Sequence, residues 1–474
     1  MSGHALLNVE SGIALAFLAT LLARSRPSVF FSPSDEPDRR AVVFLTLCAA
    51  ILLVDWPVLF APFVFDDYTH ITDARNSSWQ TILAAFGPVE HKPGLFFRPF
   101  GFLVYWLNYR AAGSDPRLWH SASLIFHAVS CCLLFTLCRS LRFNGNGSFA
   151  AALLLAVSGV SVEAVAWIDA RFDPMAACLV LASLVCVCQY VDSGRWTWIA
   201  AACAAGACAM LTKETAFSLP LLAACVWSYR PSPRLIRACA GLAALAGILF
   251  VYRWWAIGGI GGYGGRLNLA GTLNGIFVRD WTILFFPINW SGVANPALWI
   301  AAAAIPLCCV VLVRIPRRAW FGAFSFTCLV ALPAQNLLLI GTDLAQTRVL
   351  YMPALGWALL WGAILTAMPR SRGWTVAIIA SLICQFLILR HNMAYWLDVP
   401  GEARAICASF ARTAKDEAVV AGLPLRKNGV VFLANGFPEC VAMNSDVPAS
   451  RVSVRGSPTH VWNPATGQIE AIKR

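Results

Sequence analysis

Residues 119–138 read WHSASLIFHAVSCCLLFTLC, twenty positions without a Lys, Arg, Asp or Glu. A bilayer core takes roughly 20 mostly apolar residues per helix, so this stretch has the length and content of a membrane span. Outward from it, comparable runs recur at about 42–60, 148–168, 172–190, 196–211, 215–228, 238–257, 294–313, 319–340, 351–369 and 374–391. A further run covers about 5–23; it lacks a basic leader, carries Glu10 and is followed by Arg24 and Arg26, so it reads as an N-out helix rather than a cleaved signal peptide. A chain that is 59% hydrophobic and only 13% charged is far from the soluble balance. The expected fold class is therefore an all-α polytopic membrane protein with about eleven or twelve spans.

The net charge of +12 belongs to topology rather than to nucleic acid, because no recognition motif accompanies it. The basic residues sit in short tracts between spans: Arg39 and Arg40, Arg139 and Arg142, Arg195, Arg230 with Arg234 and Arg237, Arg314 with Arg317 and Arg318, and Arg370 with Arg372. Short basic loops stay in the cytoplasm. The apolar segment 271–290 must then not cross, or RIPRR at 314–318 would fall outside; Arg279 and Asp280 at its centre make it re-entrant or interfacial. With that choice the division is 1–391 as a transmembrane domain and 392–474 as a small extracytoplasmic α+β tail, helix-like near 401–414 and strand-like in VVFLANG and RVSVRG.

Of the 17 cysteines, all but Cys407 and Cys440 lie inside apolar runs, where Cys acts as a small apolar residue. An extracytoplasmic tail would put those two on the oxidising side, where pairing and free thiols are both open.

The opposite loops hold charges of both signs at the ends of spans: Asp66, Asp67, Arg98, Glu163, Arg171, Asp173, Lys213, Glu214, Arg266 and Arg348. Such residues are costly beside lipid and mark function or structural ion pairs. As a collection they point to a polar cavity on the outer face. The loop 61–118 is the longest between spans. Its Asp66–Asp67 pair follows a hydrophobic helix end, Ser77 and Ser78 can cap a short helix near 79–86, and FFRPFGFLVYWLNY reads as a second, interfacial helix. Paired acids serve either as a general base with an orienting neighbour or as helix caps.

The motifs FDDY, FFRPFGFLVYWLNY, WHSASLIFHAVSCCLLF, SVEAVAWIDARFD, LTKETAFSLPLL, LPAQN and TRVLYMPALGWALL occur in that order over about 64–360. In this order they resemble the GT-C superfamily, and more narrowly the membrane half of the TPR-linked transmembrane O-mannosyltransferases and their bacterial relatives. The resemblance implies a polyprenyl-phosphate-sugar-dependent glycosyltransferase of the cell envelope, of GT-C type and an inverting hexosyltransferase. It implies Asp66 as catalytic base, Asp67 and Glu163 beside it as orienting acids, and Arg171, Lys213 and Arg348 as donor-phosphate ligands. Asp173, Glu214, Arg98 and Tyr351 fall at supporting positions. A phosphate leaving group gathers negative charge as the glycosidic bond breaks, and positioned Arg and Lys stabilise it in a partly dry site. Where the family carries two histidines before the glutamate this chain has Ser158 and Ser161, and Thr347 and Val349 replace a Glu and a Tyr. The TPR array is absent from this sequence.

Other signals read more plainly. His120 and His127, seven apart on one helix face, are expected as buried hydrogen-bonded histidines. AIGGIGGYGGRLN at 256–268 lacks the strand and Lys-Ser/Thr of a phosphate loop and is expected as an outer loop. No soluble cofactor is implied; a divalent cation on the oxygens of Asp66, Asp67 and Glu163 stays open, although no metal is expected. The expected partners are a polyprenyl-phosphate-linked sugar, an acceptor that is protein, glycan or lipid, and membrane lipid. The expected place is the cytoplasmic membrane, with site and tail outside. The alternative is a transporter or flippase of a lipid-linked sugar, or an inactive scaffold; transporters commonly carry internal repeats and midplane charges, and neither is seen here.

Overall fold

The computed structural model describes residues 37–88, 96–261, 269–289, 317–333, 340–341, 343–367, 372–413 and 417–472. The expected spans at 5–23 and 294–313, the LPAQN motif beyond Pro333 and Arg266 lie outside the described residues.

The helices in chain order are α1 Pro37–Asp55, α2 Asp66–Asn76, α3 Trp79–Ala84, α4 Pro99–Ala112, α5 Pro116–Ser140, α6 Gly145–Ala156, α7 Ser161–Ala166, α8 Phe172–Ser193 and α9 Trp196–Met210. There follow α10 Leu219–Cys225, α11 Pro233–Ile257, α12 Leu269–Asn274, α13 Asp280–Phe285, α14 Arg317–Ala331, α15 Tyr351–Ala367 and α16 Arg372–Thr413. Among the described residues, five helical stretches are long and apolar enough to cross a bilayer: Arg40–Phe60, Pro116–Ser140, Asp169–Ser193, Pro233–Ile257 and Thr347–Ala367. The protein is thus an all-α polytopic membrane protein with a small α+β tail.

α5 shows how these elements form. Asp115 accepts a hydrogen bond from Arg117 N and Pro116 fills the first turn, where its missing N–H costs nothing. Its buried residues Trp119, Ser123, His127, Ser130, Leu134 and Cys138 recur three or four apart and face α6 and α8. Small residues then allow close approach. A Cβ on Gly147 of α6 would lie 2.5 Å from Gly362 O of α15, so the two helices meet backbone to backbone.

The expected span 148–168 is not one helix. α6 ends at Ala156, the chain turns over 157–160, and α7 restarts at Ser161. The serines cause the break: Ser158 Oγ accepts from Val160 N at 3.4 Å and Ser161 Oγ donates to Ser158 O at 2.7 Å. Gly159 is wedged where a Cβ would sit 2.8 Å from Ile388. This turn is what aims Glu163. The stretch 215–228 is likewise broken, into a 3-10 turn Glu214–Ser218, α10 and a second 3-10 turn. The segment from Leu269 to Phe285 is helical with a π-helical middle at Gly275–Arg279, and Asp280 is buried.

α16 runs unbroken across residue 392 and through Pro400, joining the apolar part to the tail as one rod. Strands β1 Ala418–Ala421, β2 Arg426–Lys427, β3 Val430–Val431, β4 Val452–Ser453, β5 His460–Asn463 and β6 Gln468–Ala471, with helix α17 Phe437–Met443, form the compact tail. The sheet order is β4-β1-β5-β6; β1 is parallel to β4 and β5, and β5 antiparallel to β6. β2 and β3 form a hairpin turned by Asn428 and Gly429, both at positive φ, which matches the twist of a two-residue turn. Cys407 and Cys440 are disulfide-bonded, tying α17 to α16.

Candidate active site

The two adjacent acids part company at once. Phe65 takes φ 55° and ψ −122°, a region that non-glycine residues rarely adopt, and this turn starts α2 at Asp66. Asp67 points inward: Oδ2 accepts from Val64 N at 3.1 Å and Oδ1 from Asp169 N at 3.0 Å. It braces the loop before α2 against the 3-10 turn Asp169–Arg171, and burial pushes it up to about 8 despite both donors. Both of its oxygens are thus taken by backbone donors. Asp66 is half-buried at the rim. Burial, then the Asp169 carboxylate, raise it to about 6, against the opposing pull of His70, Asn435 and Arg348. A carboxylate so placed suits proton abstraction near neutral pH.

His70 and Asp169 complete this rim, and sequence reasoning missed both. His70 Nε2 lies 2.8 Å from an Asp169 carboxylate oxygen. Burial pulls the imidazole down, but Asp169 outweighs it and raises His70 to about 9. At neutral pH the pair is an imidazolium–carboxylate. The ring stands against Phe102, Tyr105 and Phe172, with centroids 5.8, 5.8 and 6.5 Å away. The available signals were the i, i+4 spacing of His70 from Asp66 and the third charge in WIDARFD.

The cations come from four separate elements. Arg348, opening the span that continues as α15, is 2.6 Å from Glu163 Oε1 through Nη1, and its backbone N donates to Oε2 at 3.1 Å. Thr347 Oγ1 donates to the same oxygen at 3.1 Å. Thr347, the departure from the family's glutamate, thus serves as a clamp on Glu163. The guanidinium lies 4.6 Å over the Trp167 ring. Glu163 is 2% exposed and engaged on both oxygens, so it holds Arg348 rather than facing an acceptor. Lys213, in the break between α9 and the next 3-10 turn, is ion-paired with Asp173, and both are buried. Arg98 grips Glu214 with Nε and Nη2, at 3.2 and 2.7 Å to Oε2, over the rings of Phe96 and Phe172. Arg253, which the sequence reading did not single out, adds Nη1 to the other Glu214 oxygen at 3.2 Å. Lys213 feels both Arg98 and Arg348 as neighbouring positive charges, and Arg348 also acts on Asp66. Ring contacts link part of this set: Arg98 and His70 both stand against Phe172, and His70 is paired with Asp169.

Two expected members stand apart from it. Arg171 turns inward, donating to Ser123 Oγ at 3.0 Å, Asn108 Oδ1 at 2.5 Å and Trp119 O at 3.2 Å between the rings of Tyr105 and Trp119. It is fully buried and braces α4, α5 and α8. Tyr351 points into the helix core, where its hydroxyl and His127 Nδ1 share a hydrogen bond of 2.6 Å. His120 Nε2 donates to Ala61 O at 3.1 Å, so both histidines are buried and hydrogen-bonded. The oxygens of Asp66, Asp67 and Glu163 do not converge; among the described residues no three His, Cys, Asp or Glu are grouped to hold a metal ion.

The chain has detectable relatives. Residues 91–256 match the family of dolichyl-phosphate-mannose-protein mannosyltransferases. Arg98, Glu163, Asp169, Asp173, Lys213, Glu214 and Arg253 fall within that match, while Asp66 and Arg348 fall outside it. A protein O-mannosyl-transferase of Xenopus laevis is 33% identical over 144 residues, 29% of this chain and 17% of that protein. A human protein O-mannosyl-transferase is 29% identical over 175 residues, 34% of this chain and 18% of that protein. The matched region is thus less than a fifth of these relatives' length. Among solved structures, ArnT from Cupriavidus metallidurans bound to undecaprenyl phosphate is 13% identical, with TM-score 0.48, 88% of this chain and 90% of that chain covered. The arabinofuranosyltransferase AftD from Mycobacteria is 13% identical, with TM-score 0.49, 83% and 30% covered. The likeness to mannosyltransferases carried by the ordered motifs is the one these sequence matches report.

Proposed function

We propose that this protein is a membrane glycosyltransferase that moves a sugar from a polyprenyl-phosphate carrier to an acceptor hydroxyl on a protein, glycan or lipid. One observation carries the reading: Asp66 stays half-exposed on the helix that carries the His70–Asp169 pair, within electrostatic reach of Arg348, while Asp67 is withdrawn into the backbone. A base with cations near it is what sugar transfer from a phosphate requires. The acceptor oxygen attacks the anomeric carbon with inversion, and Asp66 takes its proton. The bond from the anomeric carbon to the phosphate oxygen breaks, its electron pair leaving on the phosphate. Lys213, Arg348 and Arg98 stabilise that charge, held in place by Asp173, Glu163 and Glu214. In this reading the site and the tail lie outside the cytoplasmic membrane. The Cys407–Cys440 disulfide supports that side, because such bonds persist in oxidising compartments.

The test is transfer in proteoliposomes, with radiolabelled polyprenyl-phosphate hexoses as donors and membrane extract as acceptor, comparing wild type with Asp66→Asn. A positioned base contributes about 10²–10⁴-fold, so the variant should lose that much while folding normally. Transfer undiminished in Asp66→Asn rejects the base. Labelled lipid moving across the bilayer unchanged, with no transfer from any donor, replaces the reading with transport.

A further inference from the structure

Arg348 is fixed by more than its pairing with Glu163. Its guanidinium lies over Trp167, and Trp167 is stacked on Trp396 of α16 with ring centroids 6.2 Å apart. One turn earlier on the same face of α16 stands Asn392. Asn392 Nδ2 donates to Gly159 O at 3.4 Å and to Pro287 O at 2.5 Å, and its Oδ1 accepts from Asn289 N at 3.0 Å. Gly159 belongs to the turn that aims Glu163, so this face of α16 supports both members of the pair. The loop before Arg348 is supported from the tail. Leu344 and Gln346 take φ 58° and 73°, a region that non-glycine residues keep only where the surroundings over-determine it. Against the Asp343 carbonyl sits the tip of the β2–β3 hairpin: a Cβ on Gly429 would overlap the oxygen and lie 3.0 Å from its carbon. With φ 82°, Gly429 needs to be glycine for space and for conformation alike. A second tail glycine, Gly436 at φ 66°, is packed in the same way on the Phe65 carbonyl, 3.1 Å from the carbon for a Cβ placed there. The supports are joined, because Asn289 Nδ2 donates to Asn428 O at 3.0 Å, beside Gly429.

We infer that Asn289 and Gly429 are positioning residues for Arg348, and that through them the tail hairpin sets how tightly the site holds a polyprenyl phosphate. This rests on the reading of Arg348 as a phosphate ligand. Asn392, Asn289, Asn428 and Gly429 form one continuous run of hydrogen bonds and backbone contact from the turn that aims Glu163 to the loop that carries Arg348. The Arg348 side chain is 10% exposed and that of Glu163 1%, so the guanidinium is the member of the pair that a ligand can reach. A cation already held in place costs no reorganisation when a phosphate arrives. Displacing such a group by about 1 Å costs up to about 10²-fold. Asn289 and Gly429 need not touch the phosphate to matter, since both act through the loop.

The experiment measures binding of undecaprenyl phosphate, which carries no sugar, to full-length protein in nanodiscs, with transfer assayed on the same samples. Asn289→Ala removes the bond to Asn428 O and leaves the backbone bond to Asn392. Gly429→Ala drives the hairpin tip off Asp343. Each should raise Kd about tenfold in the wild-type background and less than twofold in the Arg348→Met background, because the loss passes through Arg348. Glu402→Gln breaks the exposed Lys427–Glu402 pair on the same hairpin and should leave Kd unchanged. A wild-type Kd in both variants, or an equal loss with and without Arg348, overturns the inference; Asn289→Ala decides alone if Gly429→Ala does not fold. If wild type transfers sugar and needs Arg348 while residues 289 and 429 have no effect, the inference fails and the transferase reading stands. If the Arg348-dependent loss is seen but wild type transfers nothing from any donor, the inference stands and the transferase reading fails. No binding of undecaprenyl phosphate by wild type overturns both.

Discussion

Removing the charge of Glu163 should cost both stability and the seat of Arg348, and a double-mutant cycle separates the two. The pair is 2.6 Å apart, with side chains 1% and 10% exposed, so water screens it little. Deleting one member of such a pair leaves the other charge buried and typically costs about 3–5 kcal/mol. Glu163→Gln keeps an oxygen for Arg348 N and Thr347 Oγ1, which places it near the low end, at about 3 kcal/mol. Arg348→Met leaves the carboxylate with only those two donors, and a similar penalty of about 3 kcal/mol follows. The double variant leaves neither charge behind. Its penalty should fall short of the sum by about 2–3 kcal/mol, the upper range for residues in contact. Unfolding by SDS titration in mixed micelles gives the four free energies, and the transfer assay is run on the same samples. Arg348→Met and the double variant should both stay inactive, with the double variant hardly less stable than Arg348→Met alone. Penalties that add to within about 0.5 kcal/mol would show that the pair is not a coupled unit.

The transfer rate should rise with pH through about 6, because Asp66, raised by burial and by Asp169, must be ionised to accept a proton; the limb is lost in Asp66→Asn. A rate that stays flat from pH 5 to 7 in wild type would remove Asp66 from proton transfer. Arg171→Gln should lower stability by about 2–3 kcal/mol through unsatisfied buried partners, while KM for the donor changes less than twofold. A tenfold rise in KM at unchanged stability would return Arg171 to the phosphate site. Replacing Cys407 and Cys440 by Ser, which opens a bridge of sequence separation 33, should destabilise the tail by about 3 kcal/mol. Faster tryptic cleavage after Lys427 checks it, and an unchanged cleavage rate would show that the bridge does not hold the tail.

Much of the site was legible before any coordinates. Charges at the ends of apolar runs are conspicuous, and alternating basic loops put Asp66, Lys213 and Arg348 in one set. The acid at 163 and the pairs at 173/213 and 98/214 were all in view, although not who pairs with whom. The partner of Glu163 lies 185 residues away, and no local pattern encodes that distance. Asp169 and His70 escaped because each, alone, looks like an ordinary polar residue.

The sequence by itself determined that the chain is a bundle of apolar helices, because hydrophobic content is summed along the chain and needs no knowledge of neighbours. It also determined that an acidic loop and scattered cations lie at the ends of those helices. Tertiary structure alone decided which of Asp66 and Asp67 is taken up by the backbone, since successive residues of a helix point about 100° apart and the amides of Val64 and Asp169 claimed the second. It turned Arg171 inward, where Ser123, Asn108 and Trp119 offered acceptors. It broke the span at 157–160, where Ser158 and Ser161 supply their own backbone with partners. It also seated the tail on Phe65, because a glycine there lets two backbones touch, and such contacts between remote segments exist only once the chain has folded.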